Sequence, residues 1–123
     1  KGSHGSTYGG NPLAMSVGLE VLNIISKKNF LNKVDKVARY FWFCLKELEK
    51  NSKIINEVRG AGLLLGIKTS VSNIEFSEKL KNQKLLNVPA ADNTVRLAPP
   101  LIVSHKEIDE SILMIKKALN DLK

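Results

Sequence analysis

The run His4-Gly5-Ser6-Thr7-Tyr8-Gly9-Gly10-Asn11-Pro12-Leu13-Ala14 constrains this chain more than any other stretch. Glycines let the backbone enter left-handed conformations and let a ligand approach it closely. Ser6 and Thr7 place hydroxyls beside backbone amides, which is the chemistry of an anion or phosphate cradle. Asn11 is suited to cap a helix, and Pro12 to occupy its first position, where a missing N–H costs nothing. The plainer reading of Ser6 and Thr7 is that they only shape a turn.

The helix opened by Asn11 is expected over 12–27. Leu13, Met15, Val17, Leu19, Val21, Leu22, Ile24 and Ile25 surround its axis, so it expects burial on nearly every side. In a short chain that burial requires another domain or another subunit. A second helix, about 30–50, is amphipathic: Phe30, Val34, Val37, Phe41, Leu45 and Leu48 keep helical spacing, and Tyr40, Trp42 and Phe43 broaden the stripe as core. Cys44 beside them reads as a small hydrophobe.

The pattern then turns to strands. Ile54–Val58 and Leu63–Ile67 read as a pair across Gly60-Ala61-Gly62, and Leu85–Val88 and Thr94–Leu97 as a second pair joined at Asp92-Asn93. A short helix at about 74–82 lies between the pairs, anchored by Ile74, Phe76 and Leu80. Pro99-Pro100 ends the last strand. Ser104 and Glu107 form a capping box for a final helix to about Leu122, with Ile108, Ile112, Ile115, Leu119 and Leu122 inward. The sum is α+β: a small, mainly antiparallel sheet with helices on one face.

Three ordered blocks resemble the class III, pyridoxal-phosphate-dependent aminotransferases, in particular the acetylornithine/succinyldiaminopimelate branch. They are the run 4–14, the segment Val58-Arg59-Gly60-Ala61-Gly62-Leu63-Leu64-Leu65-Gly66-Ile67, and the stretch from Leu85-Leu86 through Pro89-Ala90 to Asp92-Asn93-Thr94-Val95-Arg96-Leu97-Ala98-Pro99-Pro100-Leu101. Two positions depart from the family pattern. Ala91 and Lys84 stand where glycine is common, which implies altered turn geometry.

The resemblance covers roughly the last third of a family member. It implies the small C-terminal domain of a fold-type I transferase over 12–123, with 1–11 a cofactor-phosphate loop belonging to the large domain. It also implies that Thr7 binds the phosphate of pyridoxal phosphate in the active site of a second, identical subunit. Ser6 would help hold the amino-acid substrate. Arg96, in an R-x-x-P-P motif, would bind the α-carboxylate of the amino-acid or 2-oxo-acid substrate. The residue chemistry agrees, since a guanidinium fork suits bidentate capture of a carboxylate. A surface salt bridge is the plainer alternative for Arg96.

The same resemblance places the cofactor-binding lysine and aspartate upstream of residue 4, so no residue here is assigned a catalytic role. The chain is expected to be a piece of a longer homodimeric enzyme, and inactive alone. That enzyme would pass an amino group from a ω-amino donor to 2-oxoglutarate, giving glutamate, in the metabolism of arginine or lysine. Ornithine and 4-aminobutyrate aminotransferases are alternatives within the class. A non-catalytic phosphate-binding module is the alternative outside it.

Charge decides one further question. The formal net charge is +7, which suits nucleic-acid binding. The lysines, however, are spread over helix faces among acidic residues, and arginine, the usual reader of bases and phosphates, is scarce. No nucleic-acid partner is expected. No apolar run reaches membrane-spanning length, and a single cysteine fits a reducing cytosol. Arg59 reads as structural, His4 as part of the loop and His105 as solvent-facing. Cys44, His4 and His105 lack metal-ligand spacing.

Overall fold

In the computed structural model residues 5–122 are described. The chain forms two compact units, residues 1–33 and 34–123, with the division inside a helix. His4, read above as part of the glycine-rich loop, lies outside the described residues.

In the first unit, turns at 7–10 lead into α1 (Pro12–Ile25). Asn11 caps it as expected, its Oδ1 accepting from the N–H groups of Leu13 and Ala14 at 3.0 and 3.2 Å. No residue of α1 is buried, and Leu13 is 75% exposed. α2 (Lys28–Asn51) starts in this unit and continues into the second.

The second unit is built on a four-stranded antiparallel sheet of order β1-β2-β4-β3. Its strands are β1 (Ile55–Ala61), β2 (Leu64–Thr69), β3 (Val88–Ala90) and β4 (Thr94–Leu97); α3 (Asn73–Asn82) links β2 to β3, and α4 (His105–Asn120) follows β4. Side chains alternate across a strand. Leu65, Ile67, Val95 and Leu97 therefore face one way and meet Phe41, Leu45, Phe76, Leu80, Ile108, Ile112 and Ile115 in one core. Arg59, Lys68, Thr94 and Arg96 occupy the other side. The expected α+β layering, helices on one face of a small antiparallel sheet, is the one found.

Several local expectations change. The first hairpin turns at Gly62-Leu63, because Gly60 and Ala61 remain in β1. Gly60 has φ +140°, and a Cβ there would lie 2.1 Å from the Leu64 carbonyl oxygen. The second strand pair begins at Val88, not Leu85, which instead packs half-buried against the core. Phe43 and Ile74, expected in the core, are 62% and 61% exposed. Each lies two residues from a buried phenylalanine, Phe41 or Phe76, and two residues is about 200° around a helix. Tyr40 and Trp42 do pack against the core.

Lys84 keeps the conformation its position demands. It has φ +65°. Its N–H donates to the Lys81 carbonyl at 2.8 Å, and that of Leu85 to the Leu80 carbonyl at 3.0 Å. This is a Schellman C-cap with lysine where glycine is usual. The turn itself is unaltered, and the chain carries the strain instead. At Ala91 the backbone has no left-handed twist; the following Asp92 and Asn93 take it, at φ +58° and +48°.

Candidate active-site elements

The glycine-rich loop belongs to the first unit. The Gly9 N–H donates to the Ser6 carbonyl at 3.3 Å, and the Asn11 N–H to the Tyr8 carbonyl at 3.1 Å. Gly10 closes the turn at φ +76°. Ser6 and Thr7 are exposed, and their hydroxyls bond to no other described residue. The Thr7 and Tyr8 amides are likewise unengaged by described residues. Two hydroxyls and adjacent free amides at an open turn, in front of a helix, match the donor set a phosphate needs.

Arg96 belongs to the second unit. It projects from β4 on the sheet face opposite the core, exposed, three residues before Pro99-Pro100. It makes no ion pair with a described residue. Gly66 of β2 stands directly across the ladder from Arg96 on one side and from Arg59 on the other. A shallow concavity of about 520 Å³ lies over this row, bounded by Arg59, Gly66, Ala90, Thr94 and Arg96.

Arg59 differs from Arg96 because its charge is engaged. Its Nη1 donates to Asp92 Oδ2 at 2.8 Å and its Nη2 to Thr94 Oγ1 at 2.9 Å. Lys68 Nζ donates to the other Asp92 oxygen at 2.8 Å. These two cations, Lys68 foremost, hold the Asp92 carboxyl below its ordinary pKa. The structural reading of Arg59 thus has a concrete form.

Asn93 was not singled out from the sequence, although it anchors this face from below. Its amide donates to the carbonyls of Thr69 at 2.6 Å and Val71 at 2.7 Å, and its Oδ1 accepts from the Asn73 N–H. Asn73 in turn donates to the Ala90 and Thr94 carbonyls. The only cue was an Asp-Asn turn; which carbonyls it would meet depends on strand order.

His105 is exposed, as expected, and also meets the Tyr40 ring edge-on at 4.7 Å. Tyr40 donates to Asp109, and chiefly this bond pushes its hydroxyl up to about 12. Among the described residues no three His, Cys, Asp or Glu side chains could share a metal ion, and no helix is long and apolar enough to cross a membrane.

The family model for class-III aminotransferases matches residues 1–119. Acetylornithine aminotransferase of Agrobacterium fabrum is 44% identical over 98% of this chain, which covers 31% of that protein. The enzyme of the same name from Caldanaerobacter subterraneus is 39% identical over 99% of the chain and 31% of its own length. Among solved structures, ornithine aminotransferase of Plasmodium yoelii superposes with TM-score 0.85 at 38% identity, covering 99% of this chain and 33% of that one. Acetylornithine aminotransferase of Elizabethkingia anophelis gives 0.83 at 30% identity, covering 98% and 33%. The chain spans about a third of the length of the relatives it matches.

Proposed function

We propose, from the premise that this chain belongs to the class-III aminotransferase family, that it supplies the carboxylate grip and part of the cofactor-phosphate site of a pyridoxal-phosphate-dependent aminotransferase acting on a ω-amino donor and 2-oxoglutarate. The observation that carries the reading is Arg96, an exposed guanidinium without an ion pair among the described residues, on the open sheet face beside two prolines. The named activities of the relatives, acetylornithine and ornithine aminotransferases, support a donor with a terminal amino group. Arginine or lysine metabolism is the setting this implies.

Pyridoxal phosphate, when bound, supplies the electron sink for exchange of the amino group. This chain's residues bind and orient. Thr7 donates its hydroxyl and backbone N–H to the phosphate, and Ser6 holds the amino-acid substrate. Arg96 takes the substrate α-carboxylate through two parallel N–H donors, which fixes the plane of the carboxylate as well as its position. The remainder of the polypeptide and a second identical subunit supply the cofactor-binding lysine and cover the apolar sides of α1.

The test is Arg96→Lys in the full-length enzyme. Lysine keeps the charge and loses the planar fork. The expected loss in kcat/KM for 2-oxoglutarate is about 2–4 kcal/mol, with pyridoxal phosphate retained. An unchanged kcat/KM returns Arg96 to the surface.

A further inference from the structure

We infer that Gly66 and the Arg59–Thr94 bridge passing over it form a positioning device for Arg96. Arg59 lies on β1 and Thr94 on β4, with β2 between them. Two ladder steps separate such strands by about 10 Å. The 2.9 Å bond from Arg59 Nη2 to Thr94 Oγ1 therefore crosses the middle strand diagonally, from the row of Gly66 to the row of Lys68, with both side chains against the Gly66 position. The crossing needs a gap in the sheet surface. A Cβ on Gly66 would lie 2.8 Å from Thr94 Cγ2 and 3.7 Å from Arg59 Cγ.

Thr94 cannot rotate away without loss. It is 4% exposed, and its hydroxyl both accepts from Arg59 and donates to the Asp92 carbonyl at 3.0 Å. Turning χ1 to clear a new methyl group moves that oxygen off both partners. Arg59 would then lose the Thr94 bond and keep only exposed carboxylates, Asp92 at 2.8 Å and Glu57 at 3.9 Å.

Two consequences reach Arg96. Thr94 precedes it by two residues on the same face of β4, so the bridge fixes the strand from which Arg96 projects. The bridge also holds the guanidinium of Arg59 against Thr94 and Asp92. An incoming carboxylate meets one unengaged fork instead of two competing ones. Arg59, Thr94 and Gly66 touch no substrate in this scheme; they act through Arg96.

The inference rests on the reading of Arg96 as a carboxylate grip, and the experiment separates the two. Glutarate, a dicarboxylate with no keto group to react, is titrated into the full-length protein, and its dissociation constant and cofactor content are measured. Arg96→Gln must weaken glutarate binding; if it does not, the grip reading itself fails. Given that loss, Gly66→Ala should weaken glutarate binding by about tenfold with pyridoxal phosphate retained, as displacement of a positioned group does. Thr94→Ser removes the obstructing methyl and keeps the hydroxyl, so it should bind like the parent. Gly66→Ala/Thr94→Ser should recover the parent affinity to within about twofold, the signature of coupled neighbours. Arg59→Gln leaves Gly66 in place and should reproduce the loss, which decides the matter if Gly66→Ala does not fold. Parent-like affinity in Arg59→Gln, or a double variant no better than Gly66→Ala, overturns the inference.

Discussion

At the scale of single residues, backbone conformation and charge pairing divide the chain's positions into those that tolerate exchange and those that do not. Lys84 sits at φ +65° in a Schellman cap, where a Cβ crowds the following carbonyl. Lys84→Gly relieves that crowding, although glycine also loses more freedom on folding. The expected net gain is about 0.5–1 kcal/mol, read from the urea midpoint at unchanged slope. Gly60→Ala should do the opposite, since its Cβ has no room beside Leu64.

The carboxylates add a pH dependence. Asp92 is held low by Lys68 and Arg59, Glu49 by Lys46 and the Val58 N–H, and Glu107 by the backbone and hydroxyl of Ser104. A carboxyl with a depressed native pKa stabilises above its unfolded value and loses that contribution as pH falls through the native one. Stability should therefore be flat near neutrality and decline below about pH 4.5, where unfolded carboxyls start to take up protons. Asp92→Asn should flatten that decline in urea titrations at stepped pH, and an unchanged slope would count against the Lys68 and Arg59 pairing.

At the scale of elements, the helix ends were written in local sequence. Ser104 Oγ accepts from the Glu107 N–H at 3.3 Å, and Glu107 Oε2 accepts from the Ser104 N–H at 2.8 Å, closing the expected box at the start of α4. Ser104→Ala should cost about 1 kcal/mol, measured by thermal unfolding. Strand ends were less legible. β1 runs through Gly60 because cross-strand partners continue to Ala61↔Leu64, a matter of register that glycine-rich composition hides. β1 is also an edge strand, and Glu49 of α2 accepts its Val58 N–H at 2.8 Å, a tie nine residues apart in sequence.

At the scale of the whole molecule, α1 is an apolar helix with no buried residue. Each large apolar side chain left in water forgoes about 1.5–3 kcal/mol of burial, and a continuous apolar patch drives association. The chain studied alone should self-associate through residues 12–25, and Leu13→Ser/Val17→Ser should reduce that association in sedimentation at micromolar concentration. A monomeric parent would mean that α1 needs no cover. The chain alone should also form no glutamate from acetylornithine, 2-oxoglutarate and pyridoxal phosphate, because none of its lysines lies in the sequence setting of a cofactor-binding one.

The sequence by itself determined what depends on near neighbours and on spacing. The Asn11 and Ser104 caps, the inward stripes of α2 and α4, the α+β class and the exposure of His105 follow from contacts within a few residues or from a regular period. Family membership was equally legible, because three motif blocks stand in order along the chain. Tertiary structure alone decided the rest. Whether Phe43 and Ile74 are buried depends on which helix face meets the sheet. The Asn93 anchor and the Arg59–Thr94 bridge over Gly66 join residues 20 to 35 apart that only strand order brings together. Side-chain geometry across a sheet follows from which strands are neighbours, and no local pattern carries that information.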